Sequence, residues 1–302
     1  MFKKYMLLFL IIAVSGVWAA GENQGKTGLS YLKIAVDARA VGMGEAFTAM
    51  ANDASAVYWN PAGLMGARAS NVIFNHNEWI EDIRGEFAAI QFVKSKSSFA
   101  FHVRSFNLGD IEVRNRPTTE PLETTGAHYL SLGVSYARQF NRSINWGISM
   151  KYLFEKIYVE EASGFAADFG LTYQSPFPFL KFAATVQNLG KMNNLKNEST
   201  ELPMIVRAGL AYQMPFNSDK LFATMALDFM KAESEDPNLH IGGEVILWKQ
   251  LALRLGILEG YEAKNYAFGV GFLRNSLRVD YALTPFSDDL GVAHRFSLNF
   301  NI

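Results

Sequence analysis

The 302-residue sequence contains no cysteine, which excludes disulfides, thiolate nucleophiles and a lipid-modified N-terminal cysteine. Net charge is also missing: the formal value is −1 at pH 7, so no basic surface for nucleic acid is written into the chain. Histidine is scarce, and the five present (His76, His102, His128, His240, His294) fall on separate predicted strands or their edges. There is no G-x-S-x-G, no H-E-x-x-H and no paired Cys/His spacing. Gly42-x-Gly44 stops short of a phosphate loop, because Phe47 stands where a third glycine belongs and no apolar strand precedes it. The reading is therefore of a protein that is not an enzyme, with no cofactor and no metal. Long hydrophobic runs are the last absence. Beyond the first 20 residues no stretch approaches 18 consecutive apolar residues, so a membrane could be crossed only by strands closed into a barrel.

What is present fits such a barrel. Hydrophobic residues make up 49% of the chain, with 24 Phe and 12 Tyr, yet the mean hydropathy is only +0.03. Abundant aromatics at near-neutral hydropathy suit strands that alternate apolar and polar residues. The start of the chain supplies an address. Lys3-Lys4 precede an apolar run over 5–14, then Ser15-Gly16 and Val17-Trp18-Ala19, the pattern of a secretory signal cleaved after Ala19 or Ala20. The expected organisation is a signal peptide at 1–20, an N-terminal hatch or plug at 21–66, and one outer-membrane β-barrel at 67–302.

From residue 67 onward the hydrophobic period is two. Fourteen strands are predicted, near 70–77, 86–94, 98–106, 127–138, 144–156, 163–174, 181–188, 204–214, 221–230, 239–248, 250–258, 265–273, 276–284 and 293–302. Trp146, Ile148, Met150, Tyr152 and Phe154 share one face, while Gly147, Ser149, Lys151 and Glu155 share the other. Leu277, Val279, Tyr281 and Leu283 likewise oppose Arg278, Asp280 and Thr284. An exported chain with this pattern turns its apolar face to outer-membrane lipid and its polar face to a lumen. Connections alternate in length and charge, with short basic turns (Lys94, Lys96, Arg142, Lys220, Lys249, Arg274) at the expected periplasmic end and longer acidic loops at the other. The longest predicted loop, 107–126, is either a docking surface or a plain solvated loop.

The stretch 37–64 is different in kind. Ala46 to Met50 are good helix formers, Asp53 and Ser55 can cap a second short helix, and Asn60-Pro61 begins a third turn. Gly42, Gly44 and Gly63 give the bends a compact plug requires. The inward charges Lys151, Asp168, Arg207, Glu244, Arg254, Arg278, Asp280 and Arg295 either form an ion-pair network bracing wall and plug, or line a solute path; Asp37 and Arg39 on the hatch could join such a network. The pairs Gly242-Gly243 and Gly269/Gly271 mark either a wall irregularity or a close approach of the plug.

Asp37-Ala38-Arg39, Gly42-Met43-Gly44, Ala46-Phe47 and the run Asp53-Ala54-Ser55-Ala56-Val57-Tyr58-Trp59-Asn60-Pro61-Ala62-Gly63-Leu64 closely resemble the N-terminal signature of PorV/PorQ-type outer-membrane proteins. That family is related to the FadL-type fatty-acid channels, which share the Asn-Pro-Ala element in a hatch inside a barrel. The resemblance returns at Leu290-Gly291 and His294-Arg295-Phe296-Ser297-Leu298. It implies a part in type IX secretion: binding of cargo C-terminal domains at the outer face and their transfer from the translocon to the attachment machinery. The alternative it implies is passive, FadL-like transport of long-chain fatty acids or other hydrophobic small molecules.

Overall fold

The computed structural model describes residues 27–302 except 82, 115, 118, 119, 197–199 and 234. The expected signal peptide at 1–20 and the first residues of the expected plug lie outside the described residues. Fourteen strands form: β1 Asn71–Glu78, β2 Arg84–Lys94, β3 Ser97–Val113, β4 Glu123–Gln139 and β5 Ile144–Ile157. Next come β6 Glu160–Gln174, β7 Leu180–Met192, β8 Ile205–Met214, β9 Leu221–Ala232 and β10 Asn238–Leu247. The last are β11 Leu251–Glu259, β12 Tyr266–Arg274, β13 Leu277–Pro285 and β14 Val292–Asn301. Each pairs with its sequence neighbours, and β14 returns to β1, so the sheet closes into an antiparallel barrel. The closing register sets Asn71 against Asn301 and Glu78 against His294.

Closure follows from the period-two pattern, because it gives every strand two partners and leaves no exposed edge. On β5 the buried residues Gly147, Ser149, Lys151, Leu153 and Glu155 alternate with Trp146, Ile148, Met150, Tyr152 and Phe154, which are not buried. On β14, Arg295, Ser297 and Asn299 are buried while Phe296, Leu298 and Phe300 are exposed. Apolar side chains thus face outward and polar ones inward, the inverse of a water-soluble core and the order a lipid surround demands. No helix among the described residues is long and apolar enough to cross a membrane; the crossing belongs to the strands.

Two boundaries differ from expectation. The expected loop 107–126 is mostly strand, since β3 runs on to Val113 and β4 starts at Glu123. Beyond a register shift between Leu108 and Ile111, Ile111 still pairs with Thr125 and Val113 with Glu123. The β-branched residues Ile111, Val113, Thr124 and Thr125 favour extended backbone even where the sequence turns polar. Similarly β7 continues to Met192 and shortens the next loop.

Residues 27–67 lie inside the barrel. A 3-10 turn at Ser30–Lys33 leads to helix α1, Ala38–Gly42, then to helix α2, Ala56–Trp59, and a second 3-10 turn at Pro61–Gly66. Asp37 caps α1 by accepting the Ala40 N–H at 2.9 Å. Asn60 caps the second turn through the Ala62 N–H at 3.0 Å, with Pro61 at its first position as expected. Ser55 does not cap α2 with its side chain; instead Asp53 accepts the Ser55 N–H at 2.9 Å and its hydroxyl at 2.6 Å. Ala46–Met50 is not a helix. Gly44 and Glu45 take left-handed backbone, with φ of 62° and 65°, and the N–H groups that a helix would use are bonded to the wall.

Candidate functional site

The site is the junction between plug and wall. Its tightest points are set by glycine. A Cβ on Gly42 would stand 2.8 Å from Gly269 Cα, and one on Gly44 would meet Gly256 Cα at 2.8 Å. Gly147 faces Pro61 and Ala62, and Gly170 faces Asn60. The glycines of β10 and β12 therefore mark where the plug or inward side chains press closest, not a gap in the wall: Gly242 faces Met43, and Gly271 faces Asp280 and Arg254. The ladders through these strands run without a shift. Gly63 packs within the plug, against Ala51 and Ala56.

Charge supplies the second layer. Arg39 of α1 donates through Nε and Nη2 to Glu244 of β10 at 2.9 and 2.8 Å, and through Nη1 to Asn52 at 3.0 Å. Glu244 also accepts Arg254 Nε at 2.7 Å. Arg254 Nη1 lies 2.8 Å from Asp280 Oδ1, an ionic contact outside hydrogen-bond geometry. Asp280 accepts Arg278 Nε at 2.8 Å, and Arg278 Nη2 reaches Asp53 of the plug at 2.6 Å. The relay Arg39–Glu244–Arg254–Asp280–Arg278–Asp53 alternates in sign, sums to zero and both starts and finishes on the plug. Of the two readings the sequence left open for these residues, the structure gives the ion-pair brace.

The other expected lumen charges stand apart from this relay. Lys151 pairs with Asp168 at 2.7 Å, wall to wall. Arg207 lies over the Trp59 ring at 5.1 Å and donates Nε to Gln187 at 3.2 Å. Arg295 covers Trp79 at 4.7 Å. Neither arginine has a carboxylate at ion-pair distance among the described residues.

Several anchors went unread in the sequence. Asp228 of β9 accepts the N–H of Phe47 at 3.0 Å and of Thr48 at 2.7 Å; these bonds displace the expected helix. Arg104 of β3 donates to the carbonyls of Tyr31 at 2.7 Å and Ile34 at 2.6 Å. Lys264, in the connection after β11, bonds Glu45 at 2.7 Å. Asp228 and Arg104 occupy inward positions of their strands, so the same alternation that picked out Glu244 identifies them.

Burial acts on the plug's acids in opposite senses. Burial, then the neighbouring Asp53 carboxylate, pushes Asp37 up to about 6 against the pull of the Ala40 N–H and the Trp59 indole, which donates to it at 2.6 Å. Burial alone would also raise Glu45, but the Lys264 ammonium, with His240 adding, holds it down at about 2.

Aromatic packing completes the seal: Phe47 meets Trp59 edge-on at 5.8 Å, and Trp59 meets Tyr58 at 5.0 Å. The cavity left between plug and the β2–β7 wall, bounded by Leu32, Tyr58, Arg104, Lys151 and Gln187, measures about 20 Å³, room for about one water. Among the described residues no group of three His, Asp or Glu is placed to hold a metal ion.

With the geometry in place, comparison with known proteins adds the relations of the chain. The family described as type IX secretion system protein PorV matches residues 19–176, just over half of the 302 residues. No curated protein sequence matches at a significant level. Among solved structures, the CymD monoaromatic hydrocarbon channel superposes with a TM-score of 0.63 at 10% identity, covering 91% of this chain and 99% of that one. The Pseudomonas putida toluene transporter TodX gives 0.59 at 10% identity over 88% and 95% of the two chains. A Pseudomonas aeruginosa FadL homologue gives 0.55 at 12% identity over 88% and 98%. At these identities the likeness is one of fold: a FadL-like barrel of the outer membrane.

Proposed function

The chain belongs to the PorV family of type IX secretion system proteins, and from that premise we propose that it serves type IX protein export as a plugged, non-enzymatic barrel. In this reading the long-loop end faces outward and binds the C-terminal domains of secreted cargo. The translocon is its partner in the membrane, and the hatch keeps the lumen sealed while cargo is handled outside. The observation that carries the reading is the family match joined to a lumen whose plug–wall cavity is about 20 Å³. A barrel so closed is suited to hold a partner rather than to pass one. Residues 1–20 act in this scheme as the export signal, removed before the barrel forms.

The test is co-purification of the mature protein from detergent-solubilised outer membranes. Recovery of a much larger barrel and of cargo C-terminal domains supports the reading. Recovery of the barrel alone, with normal cargo export in a deletion strain, overturns it.

A second reading, uptake of hydrophobic small molecules, has one observation in its favour. The outer wall carries a depression of about 370 Å³ lined by Phe74, Phe87, Val103, Val279, Phe296 and Leu298, among others. Uptake of a labelled fatty acid into proteoliposomes containing the protein separates this reading from the first.

A further inference from the structure

The lumenal cations divide into two sets. Arg39, Lys151, Arg254, Lys264 and Arg278 each have a carboxylate at ion-pair distance. Arg104, Arg207 and Arg295 have none among the described residues, although they are 5%, 0% and 1% exposed. These three arrive from β3, β8 and β14, far apart around the wall, and all act electrostatically on one plug residue, Tyr58. Each guanidinium lies against an aromatic face: Arg104 on Tyr31, Tyr58 and Phe106, Arg207 on Trp59, Arg295 on Trp79. Stacking satisfies the flat faces of these groups and leaves their in-plane donors to be met otherwise.

Those donors are only partly used. Nη1 and Nη2 of Arg207 and Nε of Arg295 have no hydrogen-bond partner among the described residues. The acids facing the cluster do not balance it. Glu45 is committed to Lys264, and Asp168 is committed to Lys151. Asp228 spends Oδ2 on two plug N–H groups. An unneutralised guanidinium in a water-poor interior is costly enough to recruit a counter-charge. The available room, about 20 Å³ beside Tyr58, Arg104 and Gln187, sets the size of that charge near one water. Gln187 ties this space to the remaining two features, since its Oε1 accepts Arg207 Nε at 3.2 Å and its Nε2 donates to the Tyr58 carbonyl.

We propose that the lumen contains a binding site for a monoatomic anion, chloride in the cell, coordinated among Arg104, Arg207 and Arg295 beside Tyr58. The bound anion completes the charge balance on the β3–β8 side of the plug, where no ion-pair relay runs. It fixes α2 to the wall as the relay fixes α1. The inference needs only the placement of the plug in the lumen and stands whether the barrel serves secretion or uptake.

Bromide is the probe, because it follows chloride chemistry and is located by anomalous scattering. Crystals of the mature protein grown in bromide are expected to show an anomalous peak between Arg207 and Arg104, next to Tyr58. In detergent at fixed ionic strength, replacing gluconate, too large to enter, by chloride or bromide is expected to raise the unfolding temperature by about 2 °C or more. Arg207→Gln is expected to remove that halide dependence, whereas Arg278→Gln, at an arginine already paired, leaves it in place. A bromide map with peaks only at the exposed surface, or equal stability in gluconate and chloride, overturns the proposal. Should Arg207→Gln fail to fold, the two measurements on the unaltered protein still decide.

Discussion

Glu244 is the residue on which the anchoring of α1 depends most directly. Its carboxylate, 3% exposed, accepts two bonds from Arg39 of the plug and one from Arg254 of the wall. Glu244→Gln keeps the shape and one acceptor but removes the charge, leaving two buried guanidiniums to share Asp280 and Asp53. Removing one partner of a buried pair typically costs about 3–5 kcal/mol, chiefly through the uncompensated charge left behind. The cost falls on the plug and not on the barrel ladder, whose backbone bonds are untouched. Hydrogen exchange in detergent reads this directly. Amides of Val41, Met43 and Gly44, bonded within the plug, should open on the order of 100-fold more often in the variant. Amides of the β4–β5 ladder should exchange at unchanged rates. Pairing the change with Arg39→Met should recover part of the loss, since the cycle removes both charges together. Unchanged protection at Val41 and Met43, or strictly additive effects of the two substitutions, would refute the brace as an energetic link.

Three further outcomes follow from the same contacts. Gly256→Val should leave the barrel closed but expel the turn at Gly44, because the added side chain would enter Gly44 and Met43; limited proteolysis should then cut within 38–50 while the wall resists. Asp37, raised to about 6 by burial, binds its proton more tightly folded than unfolded, so plug stability should fall as pH rises from about 4 to about 6; Asp37→Asn should flatten that slope in a pH series of unfolding temperatures. Asp228→Ala should strand the N–H groups of Phe47 and Thr48 in the interior at a cost of about 1–3 kcal/mol each, read as faster exchange at those two amides.

Much of the barrel is legible in the chain itself. The strands β5, β11, β13 and β14 announce their lumenal faces through uninterrupted alternation, and all fourteen predicted strands form. The inward orientation of Glu244, Arg254 and Asp280 follows from the same period. Partner identity does not. Which acid meets Arg278 depends on how far neighbouring strands are staggered and on where Asp53 is carried by a chain 225 residues away. The misread segment Ala46–Met50 shows the limit most plainly. Its residues prefer helix locally, but Asp228, some 180 residues on, takes their N–H groups, and a charge-assisted bond in the interior outweighs a propensity worth tenths of a kcal/mol per residue. In the same way, nothing local distinguishes Arg207 from Arg254; only the closed wall reveals that one is paired and the other is not.

The stopper reaches across the whole width of the cylinder. Its first helix rests on β11–β14, and its last turn rests on β2–β6, with Ala38 held by Ser297 of β14 at 2.7 Å. The seat for the beginning of the chain is therefore made from its end. During biogenesis α1 has nowhere to lodge until the final strands are laid down, so sealing of the lumen and zipping of β14 onto β1 must coincide in time. A half-built wall stays open, and the newly assembled pore is shut by the same event that makes it a pore.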